Sequence, residues 1–107
     1  MYKVVLTQTA EADLQDAVDY IARVLDNRLA AESLLNRTEQ HLKRLSDYPE
    51  AHSLVADPLL RERGIRVFSV NNYLGLYRVR TDEYKVVLLR FLHGRRDWQS
   101  LLVEDSP

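Results

Sequence analysis

"IRVFSVNNYLGLYRV", Ile65 to Val79, is the stretch from which the fold can be worked out. β-branched and aromatic residues flank Asn71-Asn72, and asparagine tolerates the positive φ that a two-residue hairpin turn requires. The run therefore reads as two strands, Ile65–Val70 and Tyr73–Arg80, whose facing residues have numbers summing to 143. Val70 then faces Tyr73, Phe68 faces Gly75, and Arg66 faces Tyr77. A third strand-like run, Lys85–His93, follows "TDEY"; a turn at Asp82-Glu83 sets its pairs to sum to 165, with Leu76 beside Leu89 and Gly75 beside Arg90.

Side chains alternate faces along a strand, so this register sorts the sheet. One face collects Ile65, Val67, Leu74, Leu76, Val87, Leu89 and Phe91, and is expected to pack on helices. The other collects Arg66, Phe68, Tyr73, Gly75, Tyr77, Val86, Leu88, Arg90 and Leu92. Its mixture of aromatic and basic groups, with Gly75 leaving space beside Arg90, points to a binding surface. The plainer alternative is that both arginines bury their stems and reach carboxylates or water.

Upstream, "YKVVL" (2–6) forms a first short strand. Leu14, Ala17, Val18, Ile21 and Leu25 then recur at helical spacing, with Thr7 or Thr9 as cap and Glu11, Asp13 and Asp16 as a solvated acidic face favoured by the helix dipole. "DNR" (26–28) interrupts this helix. A second runs through Ala31, Leu34, Leu35, Thr38, Leu42 and Leu45 and stops before Pro49, so the two form an antiparallel hairpin. Segment 47–64, with two prolines, reads as an ordered loop with a short helical turn. The order is β-α-α-β-β-β, an α+β fold with a two-helix hairpin on one face of a mainly antiparallel sheet.

At 107 residues the chain fits one domain, with a core over about 2–98 and a tail, 103–107, expected to be loose. Without cysteine there is neither a disulfide framework nor a thiolate metal site. No apolar run approaches a bilayer span and the N-terminus turns acidic too soon for a signal peptide, so the cytoplasm is the expected location. The net charge of −1 conceals an asymmetry: residues 1–60 hold six Lys or Arg against ten Asp or Glu, and residues 61–96 hold nine against three. An anionic partner therefore fits one side only. His41, His52 and His93 stand at no metal-ligand spacing, and phosphate loops, nucleophile elbows and dinucleotide fingerprints are missing, so no cofactor is expected.

"VVLLRFLHGRRDW" (86–98) breaks from strand into His93, Gly94, Arg95 and Arg96. Gly94 lets the backbone leave the strand, and one arginine can pair with Asp97 while the other stays available. An Arg–Asp pair pinning the C-terminal segment over Trp98 accounts for these residues equally well.

With "YKVVLTQTAEADLQDAVDYIA", "LSDYPEA", "VNNYLGLYRV" and "LLRFLHGRRDW", the chain resembles the RelE/ParE superfamily of type II toxin–antitoxin toxins over about residues 2–98, and its last segment looks like the ParE-like branch. The resemblance implies a toxin that stops bacterial growth and a cognate antitoxin whose C-terminal segment wraps it. RelE-like members are metal-independent ribonucleases that cut mRNA on the ribosome with basic residues and a late tyrosine; here Leu74 replaces their middle-strand arginine, and Trp98 to Leu102 contains no tyrosine. ParE-like members bind DNA gyrase and need no catalytic set. The expectation is thus a gyrase-binding toxin contacting its target through Arg66, Tyr77, Arg90, His93, Arg95, Arg96 and Trp98, with a ribosome-dependent ribonuclease or an inactive antitoxin-binding relative as alternatives.

Overall fold

A computed structural model describes residues 1–94 together with Gln99 and Leu102. The order begins with strand β1 (Lys3–Leu6), helix α1 (Gln8–Asp19) and helix α2 (Arg28–Asp47). It continues with the short helix α3 (Pro58–Glu62) and strands β2 (Ile65–Val70), β3 (Tyr73–Arg80) and β4 (Lys85–His93). The four strands lie in the order β1-β4-β3-β2, with β1 parallel to β4 and the other pairs antiparallel. The expected α+β architecture is the observed one, and α3 is the helical turn anticipated in the 47–64 segment.

Thr7 caps α1: its Oγ1 accepts the Ala10 N–H at 3.0 Å and donates to the Leu89 carbonyl at 3.0 Å. One hydroxyl thereby starts the helix and ties it to β4. α1 runs on into a wider π-type turn, Tyr20–Val24, and Asp26 at φ 51° reverses the chain. Asn27 then caps α2, its Oδ1 accepting the Ala30 N–H at 3.0 Å. The far end of α2 is pinned to the start of the chain, where the Tyr2 N–H donates to the Ser46 carbonyl and the Ser46 hydroxyl donates to the Tyr2 carbonyl. Segment 53–55 lines the outer edge of β2, the Val67 N–H donating to the Ser53 carbonyl and the Val55 N–H to the Ile65 carbonyl.

The β2–β3 register is the expected one, from Val70 opposite Tyr73 to Arg66 opposite Tyr77. The β3–β4 register agrees from Arg80–Lys85 to Tyr77–Leu88 and then shifts by one, so that Leu76 faces Arg90 and Gly75 faces Phe91. The bulge lies where β1 ends, at the Leu6–Leu88 pair. It places Phe91 on one face with Phe68 and Tyr77, and Leu92 on the other with Ile65 and Leu76, the reverse of the expected grouping.

The helices also cover the opposite sheet face from the one expected. Phe68, Val70, Tyr77, Val86, Leu88 and Phe91 pack with Ala10, Ala17, Leu34 and Leu45 of the hairpin. Ile65, Leu76 and Leu92, joined by Val67 and Leu89, instead pack with Val55, Leu60 and Leu102. Burying the three large rings Phe68, Tyr77 and Phe91 under two long helices removes more apolar surface than burying the aliphatic face would. Arg66 does not prevent this, because the 48–54 segment supplies acceptors for it, and the bulge pairs Arg90 with Leu76 of the other face, from which it meets Asp13 of α1 at the edge of β4. Gly75 is also explained differently: a Cβ there would lie 2.2 Å from the Phe68 ring, which fills the space above it.

Candidate functional site

Arg90 does not emerge on an open face. Its Nε donates to Asp13 Oδ2 at 2.7 Å and its Nη2 to Asp13 Oδ1 at 3.1 Å, and both side chains are largely but not fully buried. Asp13 Oδ2 also accepts the Phe91 N–H at 3.0 Å. Beyond the end of β1 the edge of β4 has no strand neighbour, and α1 satisfies it with a carboxylate. Asp13, expected to be a solvated first-turn acid, is therefore a structural ion-pair partner.

Arg66 leans over the rim of β2, its Nη1 donating to the His52 carbonyl at 2.7 Å and its Nη2 lying 3.5 Å from the exposed Glu50 carboxylate. Tyr77 pairs with Arg66 across the strands and is completely buried. Burial raises its phenol above the ordinary range, opposed by the Arg66 charge, and its hydroxyl has no hydrogen-bond partner among the described residues. These three residues are held by the fold. His93 sits at the end of β4 with its ring edge-on to Tyr73, 5.3 Å away, and lines a shallow pocket with Asn71, Asn72, Leu74 and Gly94. Arg95, Arg96 and Trp98 lie outside the described residues.

A group that the sequence reading left unassigned forms along α2. His41 stacks on Phe68 with ring centroids 5.0 Å apart, and His52 approaches both rings, 5.7 Å from His41 and 5.9 Å from Phe68. Burial lowers the pKa of each imidazole, with the nearby Arg44 charge adding to the effect and His52 further lowering His41. Arg37 donates from Nη1 to Asn71 Oδ1 at 3.0 Å. The signal was in the sequence, since Arg37, His41 and Arg44 recur at i, i+4 and i+7. Among the described residues no three His, Cys, Asp or Glu side chains gather to hold a metal ion, and no helix is long and apolar enough to cross a membrane.

The family profile described as ParE toxin of type II toxin-antitoxin system, parDE, matches residues 4–98. The chain belongs to the ParE toxin family. Among solved structures, this ParE-family chain is similar to one from the chromosomal ParDE toxin–antitoxin system of P. aeruginosa, with TM-score 0.67 and 21% identity over 87% of this chain and 96% of that one. It is also similar to a chain of the RelBE2 toxin–antitoxin complex from Mycobacterium tuberculosis, with TM-score 0.61 and 26% identity over 86% and 96%. The isolated E. coli RelE toxin shares the fold at TM-score 0.60 and 15% identity over 97% of each chain. No match is found among curated protein sequences. The ParE-family chain is thus a toxin of the type II toxin–antitoxin class.

Proposed function

We propose that this toxin acts in the cytoplasm by binding DNA gyrase, without cutting RNA. The observation that carries this reading is the apolar centre of the sheet face away from the hairpin, where Ile65, Val67, Leu76, Leu89 and Leu92 pack. Metal-independent RNA cleavage needs a base or an oriented 2′-hydroxyl, a cation for the phosphorane charge and an acid for the leaving oxygen. Arg90, at the edge of β4, is engaged by Asp13, and on the helix side Arg66 is engaged by Glu50 and the His52 carbonyl while Tyr77 is sealed. A recognition surface requires none of these groups to be reactive.

Target contact is assigned to His93 and to the Arg95, Arg96 and Trp98 that follow Gly94 in sequence, with Arg90 bracing the last part of β4 through Asp13 and with Arg66 and Tyr77 held further from the β2–β3 turn. The antitoxin is assigned to the elbow of the hairpin, where Tyr20, Val24, Leu25 and Leu29 expose large apolar surface that a partner's apolar segment would cover. The test runs purified toxin in parallel through a gyrase supercoiling assay and a translation reaction followed by primer extension on the message. Loss of supercoiling with intact mRNA is the expected result. Codon-periodic cuts with gyrase unaffected would replace this reading with the ribonuclease one.

A further inference from the structure

Between the middle of α2 and the β2–β3 turn lies an open notch of about 250 Å³, lined by Arg37, Gln40, His41 and Arg44 on one wall and by Ser69 and Asn71 on the other. Neither arginine is within 4.0 Å of a carboxylate among the described residues. Helix-dipole compensation accounts for Arg44 in the last turn of α2 but not for Arg37, two turns earlier. Arg37 is aimed rather than loose, because Asn71 accepts its Nη1 hydrogen bond. His41 is fixed in plane by its stack on Phe68, and its Nδ1 is enclosed with no hydrogen-bond partner.

Two guanidinium groups brought to one wall repel each other, a cost that an anion would offset. We propose that the notch binds a phosphate group, carried by a free nucleotide or by a nucleic-acid strand. Its donors come from two walls: Arg37, Arg44 and Gln40 from the helix, and the Ser69 hydroxyl and Asn71 amide from the turn. That arrangement suits a tetrahedral group with oxygens pointing several ways better than a planar carboxylate, which one arginine fork would satisfy. The volume leaves room for part of an attached sugar. The notch adjoins the His93–Gly94 pocket through Asn71, which lines both, but its other lining residues are separate and it does not depend on gyrase being the target.

The experiment titrates ¹⁵N-labelled full-length toxin at low salt with sodium phosphate, with AMP and with a twelve-residue oligothymidylate. A hexaglutamate peptide serves as the carboxylate comparison. Saturable shifts at Asn71 and His41, weakened tenfold or more in an R37Q/R44Q variant that keeps its circular dichroism and melting temperature, are expected. AMP binding as tightly as the oligonucleotide identifies a nucleotide site; a tighter oligonucleotide identifies a strand site. The proposal is overturned if none of the three phosphates saturates, if the double variant binds them unchanged, or if hexaglutamate binds more tightly than all of them.

Discussion

Asp13 and Arg90 stand 77 residues apart in the chain and form a largely buried ion pair. Removing one partner of such a pair strands the other charge, at about 3–5 kcal/mol. Asp13→Ala also leaves the Phe91 N–H without its acceptor, so its urea-unfolding free energy should fall by at least that amount. An unchanged midpoint would refute a structural role for the pair. Gly75→Ala forces a methyl into the Phe68 ring and should lower stability by about 1–3 kcal/mol, with a smaller loss when Phe68→Leu makes room. The histidines provide a pH signature. His41 and His52 have folded pKa values below the usual 6.5, so the unfolded chain binds more protons as pH falls through that value. Their contribution is whole above about pH 6.5 and is lost as pH drops through the folded values. Urea midpoints should fall between pH 7.5 and 5.0, and the decline should flatten in H41Q/H52Q. Neither partnership was legible in the sequence, because a helical pattern shows which face a residue occupies and not what packs against it from a distant strand.

At the scale of elements, the β2–β3 hairpin was readable because a two-residue turn and a period of two fix every pair together. The β3–β4 pairing was readable only to Tyr77–Leu88. Nothing in "LLRF" marks the bulge, whose position follows from β1 stopping after four residues and from Thr7 drawing α1 against the Leu88 and Leu89 carbonyls. The helix-covered face was misassigned because two arginines were taken as incompatible with a core side; the acceptors of Arg66 and the bulge that moves Arg90 to the face of Leu76 are features that the strand pattern does not encode. Thr7→Ala removes both a helix cap and a cross-element hydrogen bond and should cost about 1–2 kcal/mol. Hydrogen exchange should show α1 and the Leu88–Phe91 amides losing protection together; loss confined to α1 would mean that the hydroxyl serves only as a cap.

For the whole molecule, the element order, the α+β class and the family were recoverable from sequence, because helix periodicity, turn residues and the C-terminal segment agree with one another. The candidate contact set was less recoverable. Arg66, Tyr77 and Arg90 are occupied inside the fold, and only His93 of the described members lies at the end of β4. Arg95→Ala/Arg96→Ala should therefore relieve growth inhibition strongly at unchanged melting temperature, whereas full toxicity would remove that segment from the target contact. Val24→Glu/Leu29→Glu, at exposed positions, should leave the fold intact and weaken antitoxin co-purification at least tenfold. Retained complex would move the antitoxin to another surface.

The parallel pairing of β1 with β4 joins residues 3–6 to residues 85–88, the first strand to the last. Until β4 has left the ribosome, β1 has no neighbour in the sheet, and α1 has neither the Leu89 carbonyl for Thr7 nor Arg90 for Asp13. A nascent chain released before then cannot assemble its layer. In a toxin, this topology ties the assembly of the sheet to the synthesis of residues 85–93, and a chain that stops before them lacks the strand on which α1 is anchored.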